Sequence, residues 1–297
     1  MYNQIDSNKR QSIVLTMIFI AVLISLGYVV EMSLGWPQYS GITLAVVISL
    51  FMTLLSYFQG DKIALWSSGA KPIVKEDNAY LYNLVENLCI TAGMLMPKLY
   101  IMEDTAINAF ATGRKPDVAS IAVTRGALQK LENEELEGVL AHELSHIQNY
   151  DIRFMTMVAV LVGAIALLAD IFLRARWLGL HSDNRRSGGG QVGAVLAIAG
   201  IVLAILSPLI ANLIKLAISR RREYLADASG SLLTRYPEGL ARALEKIAAD
   251  HEPMKKASNA TAHLFISNPF GSKKKMSAIF STHPPIEERI AKLRGMA

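Results

Sequence analysis

Residues 134–147 read EELEGVLAHELSHI, and their spacing governs how the rest of the chain is interpreted. Val139, Leu140, Leu144 and Ile147 make an apolar stripe at helical period. Glu134, Glu135 and Glu137 crowd the start, where negative side chains suit the helix dipole. The pattern predicts a helix. On it His142 and His146 fall one turn apart on one face, the spacing at which two imidazoles bind one Zn2+, with Glu143 beside the water such an ion would activate.

Two histidines leave a zinc ion underliganded, because a catalytic site supplies three protein ligands and keeps a fourth position open. Positions 149 and 152, where a metzincin would carry Gly and His, hold Asn149 and Ile152, so the third ligand lies elsewhere. Cys89, the single cysteine, shares helical spacing with Leu81, Leu84, Val85, Leu88 and Ala92 and reads as a core thiol. One cysteine also excludes an internal disulfide framework and a thiolate cluster. His181 falls in a loop expected across the membrane. The stretch RRREYLAD, residues 220–227, offers Glu223 as the third ligand, with Asp227 one turn on to accept an imidazole N–H. Both carboxylates also have a plainer reading, as countercharges to Arg220, Arg221 and Arg222.

Around this motif the chain of 297 residues is 52% apolar and only 19% charged, too apolar for an ordinary soluble domain and too poor in charge for a disordered one. Four segments are long enough to cross hydrocarbon: Ile13 to Val30, Gly41 to Phe58, Phe154 to Leu173 and Val192 to Leu213. Lys9 and Arg10 precede the first, Lys62, Lys71 and Lys75 follow the second, and the connection from Glu31 to Ser40 has no Lys or Arg. The first pair is therefore expected to be a hairpin with both ends in the cytoplasm. The second pair is less regular: Arg174, Arg176, Arg185 and Arg186 lie in its connection, and Asp170 and Pro208 interrupt it, so spanning and a partly embedded hairpin both stay open. The net charge of +5 gathers beside the hydrophobic segments, which suits anionic head groups rather than nucleic acid.

This divides the chain into a membrane hairpin (1–58), a first catalytic part with strands and the motif helix (59–153), a second membrane hairpin (154–214) and a second catalytic part with the third ligand (215–297). A helix is expected from Asn78 to Ala92, strands at Leu99 to Met102, Ile107 to Ala111 and Ala119 to Thr124, and a motif helix running from Glu134 into the third hydrophobic segment. Helices follow at Ser219 to Thr234, Glu238 to Ala249 and Ile286 to Arg294. The fold class is α+β, mainly helical: an integral membrane protein with four hydrophobic helices and a cytoplasmic zincin-like domain. His146 lies eight residues before the third apolar segment and Glu223 ten after the fourth, so a membrane hairpin brings the ligand helices together close above the bilayer.

The run AHELSHIQNYD at 141–151, the pair Glu223 and Asp227, the stretch Asn108-Ala109-Phe110-Ala111, and Thr282-His283-Pro284-Pro285 with Arg289 together resemble the HtpX family of membrane zinc metalloproteases, relatives of the CAAX prenyl-protein peptidases. The resemblance implies a gluzincin-type, multi-pass protease of the bacterial inner membrane, its catalytic domain facing the cytoplasm, that cleaves misfolded or damaged membrane proteins in quality control and the stress response. It implies one Zn2+ per chain, the lipid bilayer and membrane-protein substrates as partners, and association with other quality-control proteases. His142, His146 and Glu223 would be the ligands, Glu143 the catalytic carboxylate, and Asp227 the second carboxylate.

By the same resemblance Asn108 to Ala111 would be an edge strand holding an extended substrate through main-chain bonds, and His283 and Arg289 would face the oxyanion. On residues alone, His283 before two prolines equally caps a last helix, and Arg289 equally reads as a solvated cation. Asn149 and Asp151 are expected to be structural, without a catalytic role. Two other functions compete: a CAAX-type prenyl-peptide peptidase, expected to need a larger ring of membrane helices, and a non-catalytic scaffold whose zinc joins two helices, against which the intact Glu143 argues.

Overall fold

The structure, a computed structural model, describes residues 2–164, 220–271 and 284–296. It opens with a hairpin of two long helices, α1 (Tyr2–Leu34) and α2 (Ser40–Ser67). Gly27 and Gly41 face each other, and a Cβ on either would collide with the other's carbonyl oxygen, so small residues set how closely the helices approach. Glu31 closes the turn: its carboxylate accepts the N–H of Tyr39 at 2.7 Å and of Gly41 at 3.0 Å, satisfying donors at the start of α2 that have no partner within the helix. Two stretches, Ile5–Ser25 and Ser40–Ser67, are long and apolar enough to cross a bilayer. Only 28% and 22% of their most apolar windows are buried within the chain. A soluble core helix would bury most of that surface. Here Ile13, Met17, Val47, Phe51 and Leu54 point outward, as they would toward lipid. Most of the second expected hairpin, with Asp170 and His181, lies outside the described residues.

The catalytic part is built on a small sheet. Strands β1 (Ala70–Pro72), β2 (Lys98–Met102), β3 (Ala109–Thr112) and β4 (Ser120–Thr124) lie in the order β1-β2-β4-β3. Strands β2 and β4 are parallel and the outer pairings antiparallel. Helix α3 (Ala79–Ala92) lies between β1 and β2 in the chain; Asn78 caps its start by accepting the Leu81 N–H at 2.9 Å, and Gly93 ends it with a left-handed φ of 64°. The sheet is buried on both faces. Leu99, Ile101, Ala109, Ala111, Ile121 and Val123 face a core with the motif helix, whereas Met102, Phe110 and Ala122 face a second core that includes Ala64 and Leu65 of α2. Alternating residues thus join the core of the motif helix to the C-terminal end of α2. The three-residue β1 was not expected from sequence, and β3 begins two residues later than its apolar run.

A short α4 (Arg125–Lys130) leads into the motif helix α5 (Asn133–Gln148), whose start is fixed by a capping box between Glu132 and Glu135. Contrary to expectation, α5 does not run on into the third hydrophobic segment. It stops at Asn149, Tyr150 takes a left-handed φ of 60°, and a new helix, α6, occupies residues 151–164. A left-handed non-glycine residue costs about 1–2 kcal/mol. It is held by α1, where Asn8 Nδ2 donates to the Asn149 carbonyl at 2.9 Å and Lys9 Nζ sits 4.7 Å from the Tyr150 ring centre. After the undescribed stretch come α7 (Arg220–Thr234), α8 (Pro237–Ala249) and α9 (Ile286–Arg294). Two glycines set how these pack on α5. A Cβ on Gly138 would lie 2.7 Å from the Leu240 nitrogen, and one on Gly230 would lie 2.9 Å from the His142 nitrogen.

Candidate metal centre

The close packing at Gly230 brings Glu223, on the preceding turns of α7, onto the histidine face of α5. His142, His146 and Glu223 are buried, and one ligand atom from each lies within 4.8 Å of the others. The two Nε2 atoms are 3.2 Å apart, His146 Nε2 is 3.6 Å from one Glu223 oxygen, and His142 Nε2 is 3.8 Å from the other. Two nitrogens about 2.0–2.1 Å from one tetrahedral zinc ion would stand roughly 3.3 Å apart, so the donor set fits.

The outer ring nitrogens are already committed. His146 Nδ1 lies 2.9 Å from Asp151 Oδ2, and His142 Nδ1 lies 2.9 Å from Asp227 Oδ1 in a bent approach. Carboxylates behind both rings direct the Nε2 lone pairs inward, the orientation a metal requires. Burial alone would depress His146, but its hydrogen bond to Asp151 and the charge of Glu223 raise it to about 9. His142 goes the other way, because burial outweighs Asp227.

Arg289 completes the far side. Its side chain is wholly buried and grips Asp227 with two bonds, Nε to Oδ2 at 2.9 Å and Nη2 to Oδ1 at 2.7 Å, while Nη1 lies 3.8 Å from Glu223. It is therefore not a solvated cation. Burial would raise Asp227, yet the Arg289 charge and the contact with His142 bring it down to about 2. Glu143, the next residue after His142, is buried as well, and that burial, with Glu223 nearby, pushes its carboxyl up to about 7.

Ala109, Phe110 and Ala111 on β3, with Asn108 just before it, are brought beside this centre, and β3 is an edge strand of the sheet. All four are buried. The outward groups of the strand already have partners: the Ala109 carbonyl accepts the Ile266 N–H at 3.0 Å, and the Ala111 N–H donates to Glu143. His283 lies outside the described residues. Asp151, expected to be structural, contacts the metal centre: its Oδ2 faces His146 Nδ1 at 2.9 Å. Its place five residues after His146 gives no helical signal, because the chain breaks between them.

Comparisons with known proteins agree with this geometry. Residues 75–297 match the family described as Peptidase family M48. The chain is similar to a protein named Protease HtpX homolog from Caldanaerobacter subterraneus subsp. tengcongensis, 46% identical over 299 residues that cover all of this chain and 98% of the relative. It is also similar to a protein of the same name from Listeria monocytogenes serotype 4a, 41% identical over 304 residues with both chains fully covered. Among solved structures, that of S. mikatae Ste24p shares the fold, with a TM-score of 0.51 at 16% identity over 99% of this chain and 67% of the other. With the three ligand atoms and Glu143 gathered on α5 and α7, the chain belongs to peptidase family M48, within its HtpX group, and is a membrane-associated metalloprotease.

Proposed function

We propose that the chain is a zinc endopeptidase, anchored as a multi-pass protein in a bacterial inner membrane, that cleaves misfolded or damaged membrane proteins on the cytoplasmic side. The observation that carries the proposal is the meeting of two Nε2 atoms 3.2 Å apart with a buried carboxylate, and a second buried carboxyl on the next residue. Two imidazoles and one carboxylate are a donor set suited to zinc. Orientation is supported by Lys9, Arg10, Lys62, Lys71 and Lys75, which gather at the helix ends nearest the catalytic part.

When bound, zinc supplies Lewis-acid chemistry, acidifying water and polarising a carbonyl. His142, His146 and Glu223 would hold it, with Asp227 and Asp151 keeping the two rings in register. Glu143 accepts the proton of the attacking water and passes it to the leaving amine, a role worth roughly 10²- to 10⁴-fold. The substrate backbone adds to β3 along Asn108 to Ala111 and displaces the Ile266 N–H from the Ala109 carbonyl. His283 is assigned to the oxyanion, and Arg289, bonded twice to Asp227, holds that carboxylate behind His142.

A zinc-pinned scaffold would have no use for an acid at Glu143, whose ionisation burial opposes. The test is purified full-length protein with Glu143→Ala, expected to keep its zinc and lose casein cleavage. Cleavage equal to the parent overturns the assignment. Release of a farnesylated peptide's last three residues without casein cleavage moves it to the prenyl-peptide class. Glu223→Ala is expected to lower the zinc content, and unchanged zinc removes Glu223 from the ligand set.

A further inference from the structure

Asp151 orients His146 with one oxygen, and its other oxygen is held from the opposite end of the chain. Asn8, on α1, donates its Nδ2 to Asp151 Oδ1 at 2.6 Å and to the Asn149 carbonyl at 2.9 Å. Its Oδ1 accepts from Arg222 Nη1 at 3.2 Å, and Arg222 immediately precedes Glu223. Asn8 is only 2% exposed, so both of its amide hydrogens and its oxygen are used inside the protein. One amide thus reaches the break between α5 and α6, the carboxylate behind one proposed ligand, and the turn of α7 that carries another. Arg222 is steadied further by the Phe154 ring, 4.9 Å from its guanidinium carbon.

We propose that Asn8 is a positioning residue for the metal centre, acting through Asp151 on His146 and through Arg222 on Glu223. The first helix is then a structural member of the metal site as well as an anchor. A ring nitrogen bonded to a well-held carboxylate keeps one tautomer and one direction; losing such a carboxylate typically changes metal affinity by about 10- to 100-fold, and Asn8 acts through one. Without Asn8, Asp151 Oδ1 loses its donor and Asp151 can turn away from His146. The proposal rests on His142, His146 and Glu223 being the metal site.

The experiment measures zinc affinity of the full-length detergent-solubilised protein by chelator competition, together with the visible absorption of the cobalt-loaded form. Asn8→Ala is expected to weaken zinc about tenfold or more and to shift the cobalt bands. Asn8→Asp keeps the size but sets a second carboxylate against Asp151, and is expected to weaken zinc further. The control is Ser12→Ala, one turn along the same helix; Ser12 is buried, and its hydroxyl bonds the Asn8 carbonyl at 2.9 Å without reaching the site. It is expected to leave zinc affinity and the cobalt spectrum as in the parent.

Unchanged zinc affinity in both Asn8 variants overturns the proposal. So does an equal loss in Asn8→Ala and Ser12→Ala, which would mean that general docking of α1 is responsible. If Asn8→Ala does not purify folded, the isosteric Asn8→Asp decides by the same criteria. Failure of the underlying metal-site assignment is separately visible, because His142→Ala would then bind zinc as tightly as the parent.

Discussion

Gly230 of α7 lies against the backbone of His142: a Cβ placed on it would come within 2.9 Å of the His142 nitrogen and 3.1 Å of the Ala141 carbonyl carbon. Backbone cannot yield as a side-chain tip can, so Gly230→Ala must push α7 away from α5. Overpacking of this kind costs about 1–3 kcal/mol. The same displacement draws Glu223 off the histidines, so zinc affinity should fall along with the melting temperature. Gly163→Ala is the contrast, because among the described residues its added carbon would meet only the Ala260 methyl at 3.6 Å, an ordinary contact. Thermal melts of both variants, with and without metal, check the pair.

Removing the Asp227 charge should be among the more damaging changes in the chain. Asp227→Asn leaves Arg289 with no exposure and without its bidentate partner, and breaking a buried pair in this way costs roughly 3–5 kcal/mol. Arg289→Lys should also destabilise, because an ammonium cannot reproduce the two-pronged grip. The pH dependence has a definite sign. Asp227 is held at about 2, below its ordinary 3.8, so its contribution is full above about pH 4 and is lost as pH falls toward 2. Denaturant unfolding of metal-free parent and Asp227→Asn should show their difference shrinking between about pH 4 and pH 2.

Glu143 should behave in the opposite sense. Its folded value of about 7 lies above the ordinary 4.5, so the folded state favours the protonated acid and loses stability as pH rises from about 4.5 through 7. In metal-free protein Glu143→Gln removes that loss, and should gain about 3 kcal/mol at pH 8 and almost nothing at pH 4. The variant should be inactive and sturdier at once. A gain independent of pH would contradict a buried acid at this position.

Cys89 supplies an internal reporter of folding. Burial in the core beneath α3 pushes its thiol up to about 11, which leaves little thiolate at pH 8. Maleimide labelling of folded protein should therefore be slow and should rise sharply at the unfolding midpoint. Rapid labelling under native conditions would mean that α3 does not pack as described.

The elements legible in sequence are those whose pattern is local. Helix α3 declares itself through Leu81, Leu84, Val85 and Leu88, and β2 and β4 through short apolar runs that turn out to be buried on both sides. The ligands on α5 were readable because helical spacing alone puts His142 and His146 together. What could not be read depends on distant partners. Strand β1 exists because Ala70, Lys71 and Pro72 find Met102, Ile101 and Tyr100. The break at Tyr150 carries no Gly or Pro, and its stabilising contacts come from Asn8 and Lys9. Arg289 resembled a surface cation because Asp227, the partner that requires its burial, lies 62 residues away.

The sheet with two dry faces has a consequence for anyone wishing to handle the protease apart from its anchors. Cutting the chain after α2 would strip Ala64 and Leu65 from the side that carries Met102, Phe110 and Ala122, leaving a greasy plateau on the fragment. Such a piece should clump in water even with every ligand residue intact. The enzyme is thus mortared to its membrane hairpin rather than hung from it on a leash.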